Sequence, residues 1–223
     1  MTFWPVEHLQ TVPPTVAPPG TYSARLRRGR TPLERARLAA VRRLGALLEA
    51  ADGYTFGHCM RVAAYALDVA RTLGLDVGQR GTVYVGAYLH DIGKVLVPRN
   101  ILTKPGLLAA DEVEVIRTHP ERGLELLGAT RLPWNIAPII RWHHERYDGS
   151  GYPDHLCGAE IPLEAQIIAI VDAFDALTST RSYRPAVAAA EAIAALEQER
   201  RSWHPEVFRA FLSVFDRACA LAA

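Results

Sequence analysis

Eight histidines punctuate the chain, at His8, His58, His90, His119, His143, His144, His155 and His204, and six of them lie between positions 58 and 155. A single imidazole in such a stretch is ordinarily a hydrogen-bonding side chain. The grouping points further. His90 is followed at once by Asp91, His143 by His144, and Asp172 stands in the apolar run "IVDAFDALTS", where an unpaired carboxylate would be costly. Adjacent residues on a helix project about 100° apart, so one member of each pair can face a metal ion while the other reaches a second ion or braces the first. Nitrogen and oxygen donors without thiolate suit iron or manganese at least as well as zinc.

The elements that must position these groups read as helices. Thr31-Pro32 is an N-cap with proline at the first helical position, and Leu33, Ala36, Leu38, Val41, Leu44, Leu47 and Leu48 follow at helical spacing. Further helices are expected over His58 to Leu73, with Gly74 as the cap, and over Val77 to about Asp91, Asp111 to about Leu127 and Ile136 to Glu145. Three more should cover Leu163 to about Thr178, Val187 to Arg200 and Pro205 to Leu221. "VPRNILTKPG", with two prolines and a glycine, reads as a loop over 97–106. No run of alternating β-branched residues suggests a strand, and nothing repeats at a fixed period. The expected fold is all-α.

Bulk properties narrow the class. The 223 residues are 49% hydrophobic and 22% charged, enough for a substantial core, and the net charge of +1 provides no field for a long nucleic acid. Cys59, Cys157 and Cys219 are odd in number and far apart, which argues against a disulfide scaffold and suits a reducing cytoplasm. No apolar run of about 18 residues predicts a membrane span, and "MTFWPVEHLQ" lacks the features of a secretory signal. Residues 1–30, with "TVPPTVAPPG" and "RLRRGR", read as a tail or linker ahead of a single domain over 31–223.

Five blocks in order, "YTFGHCMRVAAYA", "LHDIGKVLVPRNILTKPG", "THPERG", "HHERYDGSGYP" and "VDAFDALTSTRSYRPA", make the chain resemble the HD-GYP family from about residue 43 to 215. That family is the branch of the HD phosphohydrolases that hydrolyses cyclic di-GMP. The resemblance implies an HD-domain helical bundle with a GYP extension. It also implies a two-metal site in which His58, His90, Asp91 and Asp172 hold one ion while Asp91 bridges to a second held by His119, His143 and His144. Asp91 and Lys94 would be its catalytic residues. A carboxylate shared by cations about 4 Å apart lowers their repulsion and leaves room for a bridging hydroxide as nucleophile. Iron or manganese is expected, with zinc, nickel or others also compatible. Some members carry "ETGxH", whose glutamate serves a third metal; here that position is Tyr54, so two ions are expected.

Lys94 and Lys104 are the only lysines, and both fall in matching blocks. A lysine kept where arginine is otherwise used suits a point contact with a phosphoryl oxygen, although a surface lysine at a helix end is the plainer reading. Arg181 and Arg184 read as phosphate clamps or as solvated arginines. Glu145 is expected to brace the histidine pair. Gly149 and Gly151 allow a tight turn that Tyr152-Pro153 stiffens into a rim, so Gly151, Tyr152 and Pro153 are structural. His155 reads as a solvent-facing loop residue, Cys59 as pointing from the metal into packing, and Trp134 and Trp142 as core.

The expected activity is metal-dependent hydrolysis of cyclic di-GMP to pGpG, with a second cleavage to GMP left open. The alternatives are a phosphodiesterase for another cyclic dinucleotide and a non-catalytic module that binds a dinucleotide or a protein through the GYP face. The last draws on the short segment before the core, where family members often carry a receiver or sensor domain. Expected partners are cyclic di-GMP, a regulatory or diguanylate cyclase-type protein and a second copy in a homodimer.

Overall fold

The computed structural model describes residues 32–222 apart from 129, 131 and 181–184. The tail, Thr31, Arg181 and Arg184 therefore lie outside the described residues. Among the described residues ten α-helices follow in order: α1 Pro32–Ala51, α2 Gly53–Thr72, α3 Val77–Leu89, α4 Arg99–Leu102, α5 Ala110–Arg117, α6 His119–Gly128, α7 Ala137–Trp142, α8 Leu163–Thr178, α9 Ala189–Gln198 and α10 Pro205–Ala222. Among the described residues there is no strand, as the sequence led one to expect, and no helix is long and apolar enough to cross a membrane.

Local chemistry sets the boundaries. The Asp52 carboxylate accepts from the Tyr54 and Thr55 amides at 3.1 Å each, so α2 starts at Gly53, five residues before the expected His58. Gly74, at φ +74°, closes it in the left-handed conformation that glycine adopts without strain. Asp76 and Gln79 form a reciprocal capping box that opens α3. The expected loop over 97–106 contains the single turn α4, because the Pro98 carbonyl accepts from both Ile101 and Leu102.

The helix expected over Asp111 to Leu127 is broken in two at Thr118. Pro120 has no N–H to continue the ladder to the Ile116 carbonyl, and that carbonyl accepts from the ring Nδ1 of His119 instead, at 2.8 Å. The α7 helix is likewise shorter than expected and stops at Trp142.

Two apolar clusters hold the bundle together. Val62, Ala66, Val69, Val83, Ile167, Ile170, Phe174, Phe208 and Phe211 form one between α2, α3, α8 and α10. Val41, Leu44, Leu48, Leu89, Ile92, Leu127 and Ile140 form the other, between α1, α3, α6, α7 and the 3-10 turn Ile92–Leu96. Helices α2 and α3 contribute to both, with His58 on α2 and His90 just past the end of α3. Gly93 makes the close approach possible: a Cβ there would overlap the His119 carbonyl and crowd the Gly123 amide.

Candidate metal centre

Three helix ends aim three imidazoles in the same way. The last carbonyls of a helix have no partner within it. Ala87 of α3 accepts from His90 Nδ1 at 2.7 Å, Ile116 of α5 from His119 Nδ1 at 2.8 Å, and Ile140 of α7 from His143 Nδ1 at 2.9 Å. Each ring thus spends Nδ1 on an orphaned carbonyl and keeps the Nε2 lone pair for the interior. His58 lies within α2, where the carbonyls are already used. Its Nδ1 is held instead by Asp175 Oδ2 at 2.6 Å, and Asp175 is gripped by Arg61 through contacts of 2.7 and 2.9 Å.

The free edges converge. His58 Nε2 is 2.9 Å from Asp172 Oδ1, and His90 Nε2 is 3.4 Å from Asp91 Oδ2 and 3.9 Å from Asp172 Oδ1. His119 Nε2 lies 3.2 Å from Asp91 Oδ1 and the same distance from His143 Nε2. Two donor sets result, each with ligand atoms within 4.8 Å of one another: His58, His90 and Asp172 on one side, and Asp91, His119, His143 and His144 on the other. Asp91 lies between them, with Oδ2 4.0 Å from His58 Nε2 and Oδ1 4.0 Å from His143 Nε2.

Electrostatics suit cations. Burial, reinforced by neighbouring imidazoles, drives His143 and His144 well below the usual histidine range. His90 is lowered by burial too, so the three rings offer neutral donors. For Asp91 and Asp172 burial opposes the charge, yet the surrounding bases outweigh it and hold both carboxyls well below the usual range; Lys94 leads for Asp91 and His58 for Asp172. Burial also pulls His58 down, but Asp172 and Asp175 overcome it and raise the ring to about 9. His90 Nε2 and Asp91 Oδ1 are buried and have no hydrogen-bond partner, the condition a bound cation would relieve. The donor set therefore fits divalent metal.

The HD domain family model matches residues 38–206. The chain belongs to the HD domain family. It is 43% identical over 173 residues to the cyclic di-GMP phosphodiesterase response regulator RpfG of Xanthomonas campestris pv. campestris, a match covering 76% of this chain and 46% of that protein. It is 37% identical over 179 residues to the 3'3'-cGAMP-specific phosphodiesterase 2 of Vibrio cholerae, covering 79% of this chain and 34% of that one. Bd1817, an HDGYP protein from Bdellovibrio bacteriovorus, superposes with a TM-score of 0.60 at 21% identity, over 72% of this chain and 52% of that chain, which shows the shared fold. The chain spans less than half the length of these two curated relatives. The resemblance to the HD-GYP branch drawn from the five blocks is borne out.

Within this HD domain the remaining expected residues fall as follows. The Lys94 ammonium sits 2.6 Å from Asp91 Oδ2, at the centre and not on the outer surface. Glu145 does not brace the imidazoles; its buried carboxylate accepts from the Asp154 amide at 2.7 Å and the Leu156 amide at 3.1 Å, and so ties down the turn beyond. Adjacency in sequence misled here because His144 and Glu145 lie past the end of α7, where the chain is already turning. Gly151 packs so tightly that a Cβ would overlap the backbone at Glu145 and Arg146, and the Tyr152–Pro153 bond is cis. The Tyr152 ring stacks on His144 with centroids 4.7 Å apart and planes 21° apart. His155 is exposed, as expected.

Trp134, half-buried, packs against the α1/α7 core, and Trp142, also half-buried, donates its indole N–H to Asp154 at 2.7 Å. Cys59 packs in the core, but its Sγ does not point clear of the centre: it lies within 4.8 Å of a donor atom of both His90 and Asp91. Asp175 and Arg61 escaped the sequence reading. Their signal was the second acid of "VDAFD", one turn after Asp172, a spacing that puts both carboxylates on one helix face.

Proposed function

We propose that this domain is a metal-dependent cyclic dinucleotide phosphodiesterase that opens cyclic di-GMP to linear pGpG. The observation that carries the reading is the convergence of two buried donor sets on one shared carboxylate, Asp91, with the Lys94 ammonium beside it. The names of the relatives support the substrate class. His58, His90 and Asp172 would hold one divalent ion and His119, His143 and His144 the other, with iron or manganese the expected metals. When bound, such ions supply Lewis-acid stabilisation of charge on the phosphodiester and acidify the attacking water.

The protein's own groups do the rest. Hydrogen bonds at Nδ1 fix the tautomer and angle of His58, His90, His119 and His143, so the centre is organised before substrate arrives. The three carbonyl-held rings belong to rigid helix ends, and the fourth is locked by the Asp175–Arg61 pair. Lys94, one-fifth exposed beside Asp91, can turn its ammonium from the carboxylate to a phosphoryl oxygen. Arg181 and Arg184 are proposed as further phosphate clamps, and the Gly151-Tyr152-Pro153 rim as the wall that supports His144.

A turnover assay across cyclic di-GMP, cyclic GMP-AMP and cyclic di-AMP, with metals quantified on the same sample, tests the reading. The expected result is cleavage of cyclic di-GMP that Asp91→Asn abolishes. Metal-loaded protein that binds the dinucleotide but leaves it intact, while an active relative cleaves it under the same conditions, would replace catalysis with a binding role.

A further inference from the structure

The HD pair carries a third donor that neither metal set uses. Cys59 Sγ, one atom of His90 and one of Asp91 lie within 4.8 Å of one another, and all three residues are buried. His90 has committed Nδ1 to the Ala87 carbonyl, so Nε2 is the nitrogen it can offer, and that atom has no partner. Asp91 Oδ1 is likewise buried and is assigned no hydrogen bond, facing His119 Nε2 at 3.2 Å. Cys59 follows His58 on α2, set about 100° around the helix axis, and so brings its sulfur to the pair from a different direction. Sulfur is the donor missing from the rest of the centre, where every other ligand atom is nitrogen or oxygen.

We propose that Cys59, His90 and Asp91 form a thiophilic cation site, of the zinc and cadmium class, that overlaps the two-ion centre and competes with its loading. The competition follows from shared ligands: an ion on this triad takes the imidazole of one catalytic set and the carboxylate between the two. Donors of a tetrahedral zinc, about 2.3 Å away for sulfur and about 2.0 Å for nitrogen, sit about 3.5 Å apart. Closing from a separation of 4.8 Å or less thus needs an inward movement of about 1.3 Å at most. The thiol proton is released to solvent as the thiolate binds. Soft thiolate selects such ions over manganese. The inference rests on the proposal that His90 and Asp91 serve the catalytic metals, and it concerns which ion is admitted.

The test uses metal-stripped protein and Cd²⁺ alone, read by sulfur-to-cadmium charge-transfer absorbance. A Cys157→Ser, Cys219→Ser double variant leaves Cys59 as the one cysteine. It is expected to gain the band at one equivalent of Cd²⁺, and His90→Gln in that background to lose it. In the otherwise unaltered protein, bound Mn²⁺ should fall as Cd²⁺ is added, and Cys59→Ala should restore it. A single-cysteine protein without the band, or a band undiminished by His90→Gln, overturns the site. Every readout is binding, so failure here leaves the phosphodiesterase proposal standing, and an inactive enzyme would leave this one standing.

Discussion

His58 Nδ1 lies 2.6 Å from Asp175 Oδ2, across a gap of 117 positions in the chain, and Arg61 closes on the same carboxylate at 2.7 Å. Asp175 does for this imidazole what helix-end carbonyls do for His90, His119 and His143. Replacing it with asparagine removes the charge and frees the ring to rotate, so metal affinity should fall about 10- to 100-fold while the fold is retained. A competition titration against a metallochromic chelator measures this. Unchanged affinity would show that Asp175 only packs.

The stacked pair His144 and Tyr152 separates metal holding from rim building. Phenylalanine preserves the ring face that lies against the imidazole. Tyr152→Phe should therefore keep its metal and much of its turnover, whereas His143→Ala should lose both, as read by metal content and activity on the same preparations. A Tyr152→Phe protein that is fully metallated yet dead would assign the hydroxyl a direct part in the reaction.

Gly93 permits the 3-10 turn after Asp91 to lie on the start of α6. Alanine there meets the His119 carbonyl and the Gly123 amide, both backbone atoms that cannot swing aside. The strain expected from overpacking is about 1–3 kcal/mol, visible in chemical denaturation. Because the displaced carbonyl belongs to His119, metal affinity should fall with stability. A variant as stable as the parent would contradict this packing.

How far could this have been read from the chain? The helical spacing of "LEAQIIAIVDAFDALT" placed α8 over Leu163–Thr178, because an apolar helix buried on most sides leaves a strong pattern. The break at Thr118 was less visible. Pro120 sits one residue inside α6, where a proline is equally compatible with a helix start and a kink, so only the position of His119 decides. The ligand candidates were legible as residue types at fixed spacings. Their orienting partners at Ala87, Ile116 and Ile140 were not, since a carbonyl acceptor has no sequence signature. Glu145 and Cys59 show the same limit: which way a side chain points past a helix end, or from a buried face, depends on packing across the bundle.

In metal-stripped protein, His58 sits between Asp172 and Asp175 and is raised to about 9. The folded value exceeds the unfolded one of about 6.5, so protonation favours the fold. This contribution is complete below about pH 6.5 and is lost as pH rises through about 9. The melting temperature of chelator-treated protein should decline across that window, and His58→Gln should flatten the decline. A midpoint that rises from pH 6.5 to 9 and is insensitive to His58→Gln would contradict the charge pattern.

Asp91 is proposed to stand between two cation sites. Anomalous diffraction from a manganese-loaded crystal tests this most directly. Two peaks are expected, one among His58, His90 and Asp172 and one among His119, His143 and His144, with the Asp91 carboxylate between them. A single fully occupied peak, or peaks that leave Asp91 without a metal contact, would contradict it.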